Sequence, residues 1–179
     1  MKRLFIAIDI ENEIKAYIES SLKLFPGQKW TNIEQQHITL KFLGDTEEDL
    51  FSQIRENLKS VNMENFSISI QDTGFFPNIR RPNVFWLGIT PEPKLIILKN
   101  EIDNLLSPLG IQPDDREFSP HLTLMRIKYF KDRSFPEKLN SRFSSFKKQT
   151  FQINSFILYS SVLDSSGAIH KKEEEYFLK

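Results

Sequence analysis

The feature that most constrains the fold of this chain is a short phrase that occurs twice. It begins at His37 as His-Ile-Thr-Leu and at His121 as His-Leu-Thr-Leu. The copies lie about half of the 179-residue chain apart and use two of its 3 histidines. In a strand, residues i and i+2 point to the same face. The repeat therefore predicts two similar halves, each of which brings one His and one Thr to a shared site.

Each phrase also predicts a strand with one polar face and one packed face. His37 and Thr39 share the first face, while the apolar residues between and after them point to the second. His121 and Thr123 repeat the pattern. This is the arrangement expected of a strand that lines a cleft.

The order of predicted elements indicates the fold class. Strands and helices interleave along the chain, several strands are positioned to form antiparallel hairpins, and no low-complexity linker or change in composition divides the sequence. These features predict an α+β fold with two lobes rather than a doubly wound parallel sheet. The length suits a single two-lobed domain over residues 1–179.

Composition excludes several classes of protein. Lys+Arg and Asp+Glu both number 24, so no overall basic field favours long, non-specific nucleic-acid binding. The absence of cysteine excludes disulfides, thiolate nucleophiles and cysteine-ligated zinc. The N-terminal apolar run is interrupted by Asp9 and Glu11 and is too short for a signal peptide, and no segment is long enough to span a bilayer. We expect a cytoplasmic protein without a membrane segment, with a monomer as the default.

Two histidines that face one substrate can act as acid and base at neutral pH. One removes a proton from water and the other protonates a leaving oxygen, while threonine hydroxyls and a cation stabilise phosphoryl oxygens without a metal. Lys41 and Arg126 are the candidate cations. Lys41, at i+4, falls on the His37 face. Arg126, at i+5 from His121, points away unless a bulge or the strand end redirects it.

The remaining candidates have a structural and a functional interpretation. His170 is expected to be an exposed residue on an edge strand, with a place at the rim of the substrate site as the alternative. Core packing is the default for Phe5, Phe75, Phe76 and Trp30, although each of these rings can stack on a nucleobase.

Nearly from end to end, the chain resembles the two-histidine phosphoesterase superfamily, whose members carry two His-x-[Thr/Ser]-x motifs. It is most similar to the RNA 2′,3′-cyclic phosphodiesterases, also called 2′-5′ RNA ligase-like proteins. Besides His37–Gly44, the matching segments are Arg3–Ile8, Gly74–Asn78, Pro82–Gly88, Phe118–Leu124 and Leu158–Leu163.

The resemblance implies a bilobal α+β fold in which two pseudo-symmetric, mostly antiparallel sheets with outer helices surround a central cleft. It implies hydrolysis of RNA 2′,3′-cyclic phosphate ends to 2′-phosphates with neither metal nor cofactor. The implied partners are RNA ends or nucleotides that carry this group. By position, His37 is the proton donor, His121 accepts a proton from water, and Thr39, Thr123 and Arg126 bind the phosphate.

Three alternatives stay open. The chain can be a non-catalytic module that binds RNA ends or nucleotides, or a two-histidine enzyme that opens another cyclic phosphate. It can also be a metallohydrolase with His37, His121 and His170 as ligands, although His-x-Thr strands lack the usual ligand spacing.

Overall fold

The α+β prediction is confirmed by a computed structural model, which describes residues 1–24, 26–129, 132–164 and 167–179, with the side chains of 163–167 left out. The described strands are β1 (Lys2–Asp9), β2 (His37–Thr46), β3 (Phe66–Phe76), β4 (Val84–Ile89), β5 (His121–Arg126), β6 (Gln149–Ile153), β7 (Ser155–Asp164) and β8 (Gly167–Phe177). The described α-helices are α1 (Asn12–Lys23), α2 (Glu48–Leu58), α3 (Pro93–Leu106) and α4 (Phe135–Phe143).

The eight described strands form one antiparallel sheet in the order β6-β3-β4-β5-β2-β1-β7-β8. It divides into two four-stranded parts, which we call the His37 half-sheet (β2, β1, β7 and β8) and the His121 half-sheet (β5, β4, β3 and β6). Within the described chain, a single residue pair, Ile38 opposite Leu122, joins them. The two predicted sheets are therefore halves of one hydrogen-bonded sheet.

The half-sheets do not correspond to the two halves of the chain. β7 and β8, near the C-terminus, return to the N-terminal strand β1, where Tyr159 pairs with Phe5. The His121 half-sheet is built from the middle of the sequence. Each half-sheet contains a strand–helix–strand unit, β1-α1-β2 or β4-α3-β5, in which the helix connects two adjacent antiparallel strands. The repeat seen in the sequence lies in these two units.

The helices pack on one face of the sheet because each carries an apolar stripe. In α2, for example, Phe51, Ile54 and Leu58 are buried at helical spacing. The helix stripes join one core with alternate residues of the central strands, including Ile38, Leu40, Leu122 and Leu124. No described helix is long and apolar enough to cross a membrane.

The opposite face of the sheet, which we call the open face, carries a second and smaller apolar cluster. Phe5, Ala7, Ile157 and Tyr159 form it on β1 and β7. Strand β1 is therefore buried on both sides, because its other residues, such as Ile6, enter the main core. This gives the His37 half-sheet an aromatic floor on the open face.

Candidate active site

The two His-x-Thr strands meet where the half-sheets join. The joining pair belongs to the main core, so the residues on either side of it point to the open face. Because the strands are antiparallel, His37 lies beside Thr123 and Thr39 lies beside His121. Opposed residues of this kind have Cβ atoms about 5 Å apart. The four side chains can therefore surround one small group.

Strands β2 and β5 have the same order of buried and accessible residues over their first six positions. His and Thr are half-buried, the residue between them is buried, two further residues are buried, and the sixth is exposed. Strict alternation would bury only one residue after the threonine. The extra buried residue comes from a bulge: the pairing of β2 with β1 skips Leu40, and the pairing of β5 with β4 skips Leu124.

The bulge brings Arg126 and Phe42 to equivalent exposed positions on the two strands. This is the bulge that Arg126 requires if it is to reach the site from position i+5. After burial, its positive charge is among the influences that lower the pKa of His37, His121 and His170, so the guanidinium acts electrostatically on all three rings. Arg126 forms no ion pair with a carboxylate in the described chain, which leaves it available to an anion.

The equivalent bulge of β2 shows that the prediction for Lys41 was wrong. Lys41 points into the core, where its side chain is 1% exposed. Its ammonium group donates to Asp103 at 2.6 Å and to the Gln112 carbonyl at 2.8 Å. Asp103 is also paired with Lys99 of α3. Lys41 therefore ties β2 to α3 and to the following loop, and it cannot contact a ligand on the open face.

The two histidines are held by matching hydrogen bonds. Nδ1 of His37 donates to the carbonyl of Gln35, and Nδ1 of His121 donates to the carbonyl of Ser119, both at 2.8 Å. A carbonyl oxygen can only accept, so Nδ1 carries the hydrogen in each ring. This leaves Nε2 of both rings as the atom that accepts or donates a proton on the open face.

Neither motif threonine uses its hydroxyl within the described structure. Thr39 and Thr123 are half-buried, and no hydrogen bond of either Oγ1 is found among the described residues. A hydroxyl can donate one hydrogen bond and accept two. Both groups are therefore able to bind oxygen atoms of a ligand.

Aromatic rings pack against both histidines. Phe5 lies 4.8 Å from His37, and Phe76 lies 4.8 Å from His121, measured between ring centroids. Trp86 lies next to His121, and its indole crosses Gly74, where a Cβ atom would lie 2.2 Å from Cζ2. Phe5 and Phe76 thus belong to the site environment, whereas the other two aromatic candidates are core residues.

The two aromatic candidates in the core are Phe75, which is 8% exposed, and Trp30, which packs against the main core. The prediction of core packing is therefore confirmed for this pair, and also for Phe5, which is 3% exposed in the smaller apolar cluster.

His170 is on the edge strand, as expected, but its ring is not simply exposed. It is half-buried and lies 5.1 Å from the ring of His37 and 4.8 Å from Phe5. The register of β7 and β8, with Ser161 opposite His170, brings it back over the aromatic floor. The alternative predicted from the sequence, a place at the rim of the substrate site, agrees better with this position.

Burial sets the proton affinity of both motif histidines. It lowers the pKa of His37 to about 4, with smaller opposing effects from the Gln35 hydrogen bond and from Asp9. Burial also lowers the pKa of His121, partly opposed by the Ser119 hydrogen bond. Removing charge from water disfavours the imidazolium form. An anion bound between the rings acts in the opposite direction and raises both values.

The prediction that Phe42 lies on the packed face was wrong, because the bulge turns it outward and leaves it 66% exposed, and sequence reasoning did not identify Asp9. Phe42 is detectable when the two phrases are aligned, because it occupies the position of Arg126. Asp9 pairs with His37 across β1 and β2, and no sequence motif indicates this register.

The three-histidine metal site that the sequence left open is not assembled in the described residues. His37 and His170 are neighbours, but no group of three or more His, Asp or Glu side chains in this part of the chain is arranged to hold a metal ion.

Comparison with a protein family and comparison with individual proteins give the same result. The family described as the 2′-5′ RNA ligase superfamily matches residues 12–164. An RNA 2′,3′-cyclic phosphodiesterase of Thermotoga maritima is 35% identical over 175 residues, which cover 94% of this chain and 91% of the relative. A protein of the same name from Methanocaldococcus jannaschii is 35% identical over 179 residues, covering 97% and 99%.

Solved structures share the fold along its whole length. The crystal structure of E. coli LigT complexed with 3′-AMP has a TM-score of 0.79 at 24% identity, covering 99% of this chain and 98% of that one. The structure of TT0787 of Thermus thermophilus also has a TM-score of 0.79 at 24% identity, covering 98% and 97%.

Proposed function

We propose that this chain, which belongs to the 2′-5′ RNA ligase superfamily, hydrolyses 2′,3′-cyclic phosphate ends of RNA to 2′-phosphates without a metal. The observation that carries the proposal is the matched pair of His37 and His121. Each has Nδ1 bonded to a carbonyl two residues earlier, and each keeps Nε2 for proton transfer. Relatives that are 35% identical over nearly the whole chain bear the name of this activity.

In the proposed reaction, the oxygen of a water molecule attacks phosphorus while Nε2 of His121 accepts one of its protons. The bond between phosphorus and O3′ breaks, and Nε2 of His37 donates a proton to O3′. The phosphate remains on O2′, and the two histidines return to their starting states by exchanging one proton with solvent. Positioned proton transfer of this kind contributes about 10²–10⁴-fold in rate.

The neighbours of the two histidines favour this assignment of acid and base. On the adjacent strand, Asp9 is opposite His37, whereas Gly88 is opposite His121. Besides burial, the charges of His170 and Arg126 lower the pKa of His37, and the Asp9 carboxylate opposes them. Arg126 also lowers the pKa of His121, and no carboxylate is among the influences that oppose it there. Asp9 is therefore the one charge that distinguishes the two sides in favour of a proton on His37, the ring proposed to donate.

We assign phosphate binding to Thr39, Thr123 and Arg126. The two threonines lie on the open face beside the opposite histidines, so their hydroxyls can donate to non-bridging oxygens. Arg126 adds a positive charge close to both rings. Groups fixed in this way stabilise the charge that develops in the transition state.

Phe42 is proposed to stack on the base of the terminal nucleotide. Its ring is 66% exposed, which is unusual for a large apolar side chain, and it lies on the same side of β2 as Thr39. Stacking of one base on an aromatic side chain contributes about 1–3 kcal/mol.

Residues 1–179 are proposed to act as one two-lobed catalytic unit and as a monomer. Each half-sheet supplies one His and one Thr, so one chain contains both members of the acid–base pair. A cysteine-free sequence fits the reducing cytoplasm, which is the proposed location.

The proposal is tested by incubating the protein with a nucleoside 2′,3′-cyclic phosphate in excess EDTA. Phosphorus NMR then distinguishes the 2′-phosphate from the 3′-phosphate product. We expect ring opening to the 2′-phosphate at an unchanged rate with and without the chelator. Binding of the nucleotide without ring opening would instead support a non-catalytic module, and loss of activity in EDTA would support a metallohydrolase.

A further inference from the structure

A polar cavity of about 300 Å³ adjoins His37 on the side away from Thr39, at the ends of β1 and β2. We call it the β1–α1 cavity. Besides His37 and Tyr159, its lining includes Asp9, Asn12, Lys15, His170 and Lys172. None of the phosphate-binding residues assigned above lines it, so the proposed reaction does not account for it.

One carboxylate, that of Asp9, binds the charged groups that line the β1–α1 cavity. Asp9 Oδ1 accepts hydrogen bonds from the Ile10 amide at 2.8 Å and from Lys15 at 2.9 Å, and Oδ2 lies 2.9 Å from Lys172. Two cations and one anion are thus fixed together, and Glu34 adds a second carboxylate to the lining. The charges nearly balance, which suits a neutral polar group better than a phosphate.

One wall of the cavity is aromatic. The rings of Tyr159 and His170 lie 6.4 Å apart, and each is close to Phe5 beneath them. Burial raises the pKa of Tyr159, so its phenol stays protonated and can donate a hydrogen bond. An aromatic ring beside polar groups of both kinds is what a nucleobase requires, because bases stack on aromatic faces and hydrogen bond through their edges.

The β1–α1 cavity and Phe42 lie on opposite sides of the reacting position. Along β2, the cavity comes before His37, and Phe42 follows it by five residues. Phe42 does not line the cavity, and the ring of Phe5 packs against both places, with its centroid 6.1 Å from that of Phe42 and 4.8 Å from that of His170. A base that stacks on Phe42 and a base that stacks on His170 therefore have separate positions. A nucleotide whose cyclic phosphate lies between the motif histidines can occupy only one of them, so the other is left for a neighbouring nucleoside.

We infer that the β1–α1 cavity binds the nucleoside immediately upstream of the one that carries the cyclic phosphate, and that His170 forms its stacking wall. The inference rests on the proposed function. An RNA strand that ends in a 2′,3′-cyclic phosphate continues only from the 5′ oxygen of its last ribose, so the neighbour is upstream. The substrate class is therefore an RNA end of at least two nucleotides rather than a mononucleotide.

The test compares kcat/KM for a dinucleotide that ends in a 2′,3′-cyclic phosphate with kcat/KM for the matching cyclic mononucleotide. In the unaltered protein the dinucleotide should be preferred at least about tenfold, as expected from stacking of one more base. His170→Ala should lower this ratio at least about fivefold, and His170→Phe, which keeps a ring, should retain most of it. Using the ratio removes any effect of the substitution that is common to both substrates.

Lys172 and Lys171 provide a matched pair on the same strand. Lys172 lines the cavity, whereas Lys171 points to the other side of β8, where its side chain is 76% exposed. Lys172→Met should lower the dinucleotide preference, and Lys171→Met should leave it unchanged.

A preference near one in the unaltered protein, or a preference that survives His170→Ala, would overturn the inference and leave the proposed function standing. Failure to open either substrate would overturn the proposed function itself, and the inference with it. Thermal unfolding of each variant identifies any that fails to fold, and His170→Phe then decides the outcome for that position.

Discussion

Strands β2 and β5 share one order of buried and accessible residues over their first six positions, but they carry different side chains after the threonine. Both place a His and a Thr on the open face, and both have a bulge after the threonine. In both, Nδ1 of the histidine donates a hydrogen bond to the carbonyl two residues earlier. After the bulge, Lys41 and Phe42 stand on β2 where Met125 and Arg126 stand on β5. The duplicated geometry places two histidines in equivalent positions, and the unequal residues after the bulge distinguish the two sides.

The strands that flank these two also differ. Asp9 stands opposite His37 where glycine stands opposite His121, and His170 lies beside His37 alone. In the described chain, His37 therefore has a carboxylate and a second imidazole as neighbours, and His121 has neither. The comparison shows that similar strands can hold two histidines in different electrostatic environments when the neighbouring strands supply different charges.

The largest expected effect is the loss of either motif histidine. His37→Ala and His121→Ala should each lower kcat by more than about 10²-fold, because each removes one proton transfer. The double variant should be little worse than either single one, since the two groups act in one step. Steady-state rates on a cyclic nucleotide, with circular dichroism to check folding, measure this. A loss below tenfold for both would contradict the mechanism.

Substitution of Lys41, the core residue of β2 after the bulge, should affect stability rather than activity. Lys41→Met leaves Asp103 with one cation fewer in a buried site and should lower the free energy of unfolding by about 3 kcal/mol. The exposed pair of Lys138 and Asp132 is the control, and Lys138→Met should have a much smaller effect, because exposed ion pairs contribute little to stability. Urea unfolding of both variants checks the difference. Equal losses in the free energy of unfolding would show that Lys41 does not belong to a buried ion-pair network.

Arg126→Met should lower kcat/KM by about 10- to 100-fold, since a hydrogen bond to a charged group contributes about 1.5–3 kcal/mol. Part of the loss should appear in kcat, because the charge on the phosphoryl oxygens grows in the transition state. Arg126→Lys keeps the charge and should recover part of the activity. An Arg126→Met enzyme with unaltered kcat and KM would remove this residue from the site.

Phe42→Leu should have a smaller effect, and it should be in KM. The leucine keeps an apolar side chain but loses the face on which a base stacks, which predicts an increase in KM of about fivefold or more. kcat should change little, because Phe42 does not take part in proton transfer. The comparison with Arg126→Met at the equivalent position shows whether the two strands have different tasks. A fall in kcat with constant KM would contradict the stacking role.

The smallest expected effect is on the position of the pH optimum. The kcat/KM profile reports the free enzyme, where the pKa of His37 is about 4 and burial lowers that of His121 from 6.5. One ring must be charged and the other neutral, so the bell should have its maximum below pH 6.5. A bound phosphate anion raises both pKa values, so the kcat profile should lie at higher pH than the kcat/KM profile. A flat profile from pH 5 to 9 would contradict the paired histidines.

Much of the fold follows from local patterns. Alternation in the two phrases predicts buried residues at Ile38 and Leu122 with His and Thr on the other face, and the structure has this arrangement up to each threonine. The helices follow from apolar spacing in the same way. Alternation fails at Lys41, because a bulge is a property of two paired strands and not of one.

What the sequence determined by itself is the pair of His-Thr strands and the α+β class, since strand alternation and helical spacing depend on residues that are close along the chain. Only the tertiary structure decided that Lys41 is a core ion pair, that Asp9 faces His37, and that His170 returns from the last strand to the same site. The physical reason is that these three facts depend on register between strands far apart in sequence, which no local pattern encodes.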